Sequence, residues 1–308
     1  MRPDVATSGE TMTTAIPFRK MNGLGNDFLV FDARAGSPRL APQEIARLAD
    51  RTTGIGFDQM ITIERSPAGA DAFMRIDNAD GGEVSACGNA TRCIGWVLMK
   101  EKGTSAVTIE TRAGLLFASD AGTPEMVTVD MGEPRLKWDE IPLAEPFADT
   151  RAVELQIGPI DAPILHSPSC VSMGNPHAIF WVDDVEAYDL STIGPMLENH
   201  PLFPERANIS LAHVTGPSSL TLKVWERGAG LTRACGTGAC AAAVAAHRTR
   251  RTGRRVTVTL PGGDLLIDWR ESDGHVMMTG PIETEFTGTI DRATLTFTRD
   301  DAVRGAAE

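Results

Sequence analysis

Two stretches of this chain place a thiol where acid–base chemistry is favourable. Asn78–Cys93, NADGGEVSACGNATRC, ends a turn rich in Asn, Asp and Gly on Cys87, and a helical pattern follows from Gly88. Val224–His247, VWERGAGLTRACGTGACAAAVAAH, runs from a strand end through Glu226, Arg227 and a glycine-rich turn to Cys235, ahead of an alanine-rich helix. At a helix start, backbone N–H groups lack intrahelical acceptors, and the macrodipole favours a thiolate there by ~0.3–1 kcal/mol. A thiolate removes a proton and a thiol returns one. Taken alone, each site also fits a buried cysteine after a tight turn.

The spacing ties the two stretches together. Ala86-Cys87-Gly88 recurs as Ala234-Cys235-Gly236, 148 residues on, and Gly132 before Glu-Pro recurs as Gly280 before Pro-Ile at the same interval. Arg75–Asn78 overlays Lys223–Glu226 at 148, while Gly25-Asn26 answers Gly174-Asn175 and Gln59 answers Asn208 at 149. A nearly constant offset over several landmarks predicts a duplicated unit. The fold class expected is α+β, with two pseudo-symmetric halves, each a curled, mostly antiparallel sheet around a central helix. Both helices lack a polar face until their last turn, so both should be buried. The helix starts would then meet across one cleft, Cys87 on one side and Cys235 on the other.

The elements that must position these thiols can be placed coarsely. Strands are expected around a glycine turn at 18–33, then at 53–63, 72–77, 107–111 and 126–131, with helices at 41–50 and 88–102. The second half carries strands at 207–214, 220–225, 256–260, 265–268 and 275–278 and a helix at 190–199; a last strand is expected at 294–298. Gly23 and Gly25 do not make a dinucleotide loop, because no third glycine opens a helix. Residues 137–168 are proline-bearing and irregular, with one strand candidate at 152–157. The halves expected are therefore 17–136 and 137–283, with a strand near 284–299 returning to the first. Residues 1–16, polar, small and aperiodic, read as a disordered leader.

Two acid–base groups on opposite sides of one carbon can take a proton from one face and return one to the other, which inverts the centre. The carbanion formed on the way needs stabilisation. Backbone N–H groups of Gly88, Asn89, Gly236 and Thr237 could cradle a substrate carboxylate between the helix starts and hold the growing charge. No lysine in a pyridoxal-phosphate context and no metal-ligand set is evident, so neither cofactor nor metal is expected.

Bulk properties narrow the setting. Among 308 residues, 42% are apolar and 23% charged, an ordinary globular composition, and the net charge of −12 argues against nucleic acid or an anionic membrane as partner. The basic run Arg248–Arg255 reads as the solvated end of a helix. No apolar run reaches the roughly 20 residues of a membrane span, and the start of the chain lacks a signal-peptide pattern, so a cytoplasmic location is expected. The five cysteines contain no CxxC pair, which argues against a disulfide framework and a zinc site and favours reduced thiols.

MNGLGNDF, GIGFDQ, NADGGEVSACGN, MGNPH and ERGAGLTRACGTG, in that order over about 18–281, resemble the successive motifs of the diaminopimelate epimerase family. The resemblance implies a pyridoxal-phosphate-independent two-base epimerase that interconverts LL- and meso-2,6-diaminopimelate in lysine and peptidoglycan precursor synthesis, usually as a homodimer. By motif it makes Cys87 and Cys235 the acid–base pair. It gives Glu226 the reacting ammonium group, with Asn26 and Gln59 lining the site. Asn78, Asn175, Asn208 and Arg227 would hold the distal amino-acid head, and His177 would support the second cysteine. Three positions depart from the family pattern: Gly82, Ala90 and Leu231, the last removing a common carboxylate. A proline or hydroxyproline racemase is the nearest rival, but a cyclic substrate has no distal zwitterion for these residues to hold. An isomerase using a single carboxylate would not need two thiols, and a redox or zinc protein would want the absent CxxC.

Overall fold

Side-chain alternation and burial build each half as a sheet wrapped on a helix. The computed structural model describes residues 15–36, 39–84 and 87–300. The first half contains β1 (Ala15–Asn22), β2 (Asp27–Asp32), α1 (Pro42–Ala49), β3 (Gln59–Glu64), β4 (Ala72–Asn78), β5 (Glu83–Val84), α2 (Gly88–Lys102), β6 (Ala106–Thr111), β7 (Gly114–Asp120) and β8 (Met126–Asp130). After a ribbon of β9 (Gln156–Ile157) and β10 (Leu165–His166), the second half contains β11 (Ser169–Ser172), β12 (Pro176–Trp181), α3 (Leu190–Glu198), β13 (Asn208–Gly216), β14 (Ser219–Glu226), β15 (Gly230–Thr232), α4 (Gly236–Arg248), β16 (Arg255–Leu260), β17 (Gly263–Trp269) and β18 (Val276–Pro281). Then come β19 (Glu283–Asp291) and β20 (Phe297–Arg299).

The duplication is plain in the pairing. β2 and β3 pair in parallel with Phe28 opposite Gln59, and β12 and β13 pair in parallel with His177 opposite Asn208. β4–β6 and β14–β16 are likewise parallel, and the remaining ladders within the halves are antiparallel. The two sheets join where β8 pairs antiparallel with β18, Val129 opposite Met278, and Thr128 and Thr279 share a 2.8 Å hydroxyl contact across that seam. The chain also crosses over after each half: Arg135 bridges to Ser172 beside β11, and β19 returns to pair with β1, Asn22 opposite Glu283.

Buried α2 and α4 occupy the main core. Ala239 to Ala246 of α4 are all buried, as are Ala90, Cys93, Ile94, Val97 and Leu98 of α2. α2 ends in left-handed Gly103 (φ 64°), whose N–H bonds Met99 O, a glycine C-terminus that stops the helix. α1 and α3 cover the outer faces, beside clusters built on Phe57 with Ile45 and on Phe180 with Leu197. In the basic run after α4, Arg250, Arg251 and Arg255 are exposed, as expected of a solvated helix end, while Arg251 also stacks on Trp181 and Arg254 on Trp269, each 4.6 Å from the ring centroid.

Other differences from expectation have local causes. β1 begins at Ala15, two residues inside the stretch read as a leader, because Ile16 is buried against β19; residues 1–14 lie outside the described residues. β7 carries no sequence signal, since Leu115 and Phe117 are each 51% exposed and spoil the alternation. The returning segment expected near 284–299 is two strands, β19 and the short β20, of which β19 pairs with β1, and only Gln156–Ile157 of the 152–157 candidate is strand.

Gly95 brings α2 close against the sheet: a Cβ there would lie 2.5 Å from Ala118 Cβ on β7. Gly95→Val should therefore lower stability by about 1–3 kcal/mol through overpacking. A urea unfolding midpoint equal to that of the parent would contradict this packing.

Candidate active site

Cys87 and Cys235 occupy equivalent positions, each the extended residue immediately before a helix (φ −148° and −126°). The first helical bonds follow at once, Thr91 N to Cys87 O and Ala239 N to Cys235 O, both 3.0 Å. The two helix starts are separated by little more than Met278. A Cβ on Gly88 would lie 2.9 Å from Met278 Cε, and one on Gly236 would lie 2.9 Å from Met278 Sδ. A side chain at either position would have to displace the end of Met278. Asn89 Nδ2 then reaches Ala234 O at 3.5 Å, directly linking the two halves.

On the first side, Asn26 Oδ1 lies 3.9 Å from Cys87 Sγ while its Nδ2 donates to Asp58 Oδ2 at 3.0 Å. A carboxylate can only accept, so the amide is held with its oxygen toward the thiol. Arg51 fixes that carboxylate, donating to Asp58 (2.7 Å) and Asp27 (2.6 Å). Gln59 donates to Asn78 Oδ1 at 3.0 Å across the β3–β4 ladder.

On the second side, Glu226 Oε1 accepts from Thr232 Oγ1 at 2.5 Å. Burial raises the Glu226 carboxyl pKa, opposed by hydrogen bonds from Thr232 and Cys235. Cys235 Sγ lies 3.6 Å from Thr237 Oγ1, which accepts from Asn175 Nδ2 at 3.3 Å; Asn175 Oδ1 in turn meets His177 Nε2 at 3.1 Å. With Thr237 Oγ1 accepting from Asn175, its own proton is free to point at the sulfur. His177 thus reaches Cys235 through two intermediaries.

Burial dominates both thiols. It raises the Cys87 pKa, against the backbone N–H groups of Ala90 and Asn89 and the charge of Arg92, while Glu226 adds to the rise. Cys235, 3% exposed, is raised well above the ordinary thiol value by burial and then by Glu226, against Thr237 and the Gly238 N–H. Cys93, Cys170 and Cys240 are pushed up to about 12 by burial and are inert by comparison.

An open cleft of about 1300 Å³ lies over these groups, and every residue singled out from the sequence lines it except Asn208 and His177. Asn208 is buried beneath: its Oδ1 accepts from Arg227 N at 3.0 Å and its Nδ2 donates to Pro176 O at 2.9 Å. Each polar atom of Asn208 thus has one backbone partner, with a second lone pair on Oδ1 and a second proton on Nδ2 still to be used, and the first of these bonds fixes the Arg227 backbone. Leu231 stands 46% exposed at the cleft, Ala90 is fully buried in α2, and Gly82 N bonds the Asp80 carboxylate at 2.8 Å. Asp58, Arg51, Thr232 and Met278 were not singled out from the sequence. Asp58 had a signal, adjacency to Gln59 in GIGFDQ; Thr232 follows only once the β14–β15 hairpin is registered. Among the described residues no group of His, Cys, Asp or Glu could hold a metal ion.

The arrangement can move protons at two thiols and hold an anion between two helix starts. Residues 18–137 and 169–285 match the family model described as diaminopimelate epimerase. The diaminopimelate epimerase of Brucella anthropi is 59% identical over 292 residues, 94% of this chain and 96% of that protein. That of Brucella suis is 55% identical over 307 residues, 96% of this chain and 100% of its own. Among solved structures, a hydroxyproline epimerase from Agrobacterium vitis superposes with a TM-score of 0.63 at 14% identity, covering 92% of this chain and 95% of its own. A phenazine biosynthesis protein of the PhzF family from Bacillus anthracis gives 0.61 at 17%, covering 90% and 99%. These last two share the fold.

Burial, with the nearby positive charge of Arg227, lowers the His177 pKa from 6.5 to about 3. Above about pH 6.5 the ring is neutral folded or unfolded; between 6.5 and 3 only the unfolded chain takes the proton. Stability should therefore fall as pH drops through that window, by at most about 1.4 kcal/mol per unit from this residue. His177→Gln should flatten the slope between pH 7 and 5 in urea titrations, and an unchanged slope would contradict the assignment.

Proposed function

We propose that this chain, which belongs to the diaminopimelate epimerase family and interconverts LL- and meso-2,6-diaminopimelate, inverts the α-carbon with Cys87 and Cys235 on opposite faces. The observation that carries this reading is the pair of cysteines at two helix starts that meet across Met278. One sulfur, as thiolate, takes the α-proton; the other, as thiol, delivers a proton to the opposite face. The two exchange roles with substrate configuration. The N–H groups of Gly88, Asn89, Gly236 and Thr237 bind the reacting carboxylate and stabilise the charge delocalised onto it as the carbanion forms.

Glu226 binds the reacting ammonium group. That pairing neutralises the carboxylate that most opposes ionisation of Cys235 after burial, so substrate binding itself prepares the thiolate. Asn26 and Gln59 line the reacting end. Asn78, Asn175, Asn208 and Arg227 hold the distal head, Arg227 by a bidentate carboxylate contact, with Asn208 also fixing the Arg227 backbone and His177 fixing Asn175. The open volume exceeds what one small amino acid fills, which favours closure of the halves over the substrate. The reaction needs no pyridoxal phosphate, because the two helix starts supply the stabilisation. A cytoplasmic homodimer serving lysine biosynthesis completes the proposal. It is in keeping with the family, and no described helix is long and apolar enough to cross a membrane.

Purified protein without added cofactor should exchange the substrate α-hydrogen with deuterated water. Cys87→Ala and Cys235→Ala should each lower kcat/KM for epimerisation by roughly 10²–10⁴-fold or more. Full epimerisation by either variant would end the two-thiol mechanism. Arg227→Lys keeps the charge but not the fork, so it should raise KM about ten-fold or more with a smaller change in kcat; a change confined to kcat would remove Arg227 from the distal head.

A further inference from the structure

Arg92, on the first turns of α2, is the largest fully buried side chain among the described residues, at 0% exposure. Its Nη1 donates to Asn89 Oδ1 at 3.0 Å and approaches Met278 Sδ at 3.7 Å, while Nε and Nη2 have no hydrogen-bond partner among the described residues. None of its ion pairs is with a carboxylate in the described residues. The charged or titratable groups near it are Cys93 and Cys87 on its own helix and Cys240 on α4. Cys93 and Cys240, pushed up to about 12, stay neutral thiols and do not balance it. Burying a guanidinium without a counter-ion is costly, and the same volume filled by an apolar chain is commonly no less stable.

Gly280 on β18 leaves room for two side chains: a Cβ there would lie 2.5 Å from Leu265 Cδ2 and 3.2 Å from both Cζ and Nε of Arg92. The two groups that Arg92 touches, Asn89 and Met278, are the same two that join the helix starts, Asn89 through Ala234 and Met278 through Gly88 and Gly236. We propose that Arg92 is a positioning residue of this epimerase, which fixes the junction of the two helix starts through Asn89 and holds a positive charge behind Cys87 and the carboxylate cradle. Its counter-ions are then supplied by the reaction: the thiolate, and the charge that gathers on the substrate carboxylate as the proton leaves. Arg92 lowers the Cys87 pKa, in the direction this role requires, while Glu226 raises it.

The proposal rests on the two-thiol reading, and the experiment separates the two. The pH dependence of Cys87 alkylation by iodoacetamide and of kcat/KM is measured for the parent, Arg92→Met and Arg92→Lys. In Arg92→Met the alkylation curve and the acidic limb of kcat/KM should move up by about one pH unit. Activity at neutral pH should fall about ten-fold, while the thermal midpoint stays level or rises. Arg92→Lys should return both curves to the parent position. An unmoved curve in Arg92→Met, or activity lost only in step with folded protein, overturns the role of Arg92. If Arg92→Met does not fold, Arg92→Lys decides: a curve superposing on the parent supports the proposal and a displaced one overturns it. Failure of the two-thiol reading looks different, as retained turnover in Cys87→Ala.

Discussion

The antiparallel seam between β8 and β18 is the constraint on which the rest depends. It joins two copies of one topology edge to edge, and an antiparallel pair relates its strands by a local twofold. The helix inside each copy is thereby turned so that its start faces the other's. From there the requirements are steric. Gly88 and Gly236 leave room for Met278, on the seam strand itself, to fill the space between them. A flexible thioether suits a gap of that irregular shape. The same residue that seals the joint therefore sets the separation of the two helix starts.

Electrostatics then works against packing. A dry interior favours neutral thiols, and burial is the largest influence on every cysteine for which a shift is resolved. Helix-start N–H groups and Arg92 pull in the other direction at Cys87. Each sulfur meets an acceptor that favours its proton, Asn26 at Cys87 and Glu226 at Cys235, and donors that favour the thiolate, the Ala90 and Asn89 N–H groups at Cys87 and Thr237 with the Gly238 N–H at Cys235. The pseudo-symmetric cleft differs in what the acceptor is: an amide oxygen held by Asp58 on one side and a carboxylate on the other.

The duplicated fold was legible because equivalent residues in the two copies meet the same steric demands, and a landmark such as Cys87-Gly88 cannot drift. The constant offset says nothing about a strand added after the second copy, so β19 went unread in detail. It is equally blind to depth. Gln59 and Asn208 are equivalent landmarks, yet Gln59 lines the cleft while Asn208 is buried and accepts from the Arg227 N–H. Arg92 did leave a trace, a lone basic residue amid an otherwise apolar helical run. What it touches could be learned only once β18 had been brought alongside.

The return of β19 to β1 has a consequence for how the molecule comes into being. Lys20 and Glu285 are bonded across 265 positions of chain, so β1 meets its partner β19 only after the whole of both copies has been made. Pairings of such separation must close very large loops before they yield any contact energy, which slows folding. A nascent first half leaving the ribosome would present β1 as an open edge until the C-terminal segment emerges, a state prone to pairing with other chains. The duplicated architecture is therefore not two modules that can mature in turn; its last strands close its first sheet.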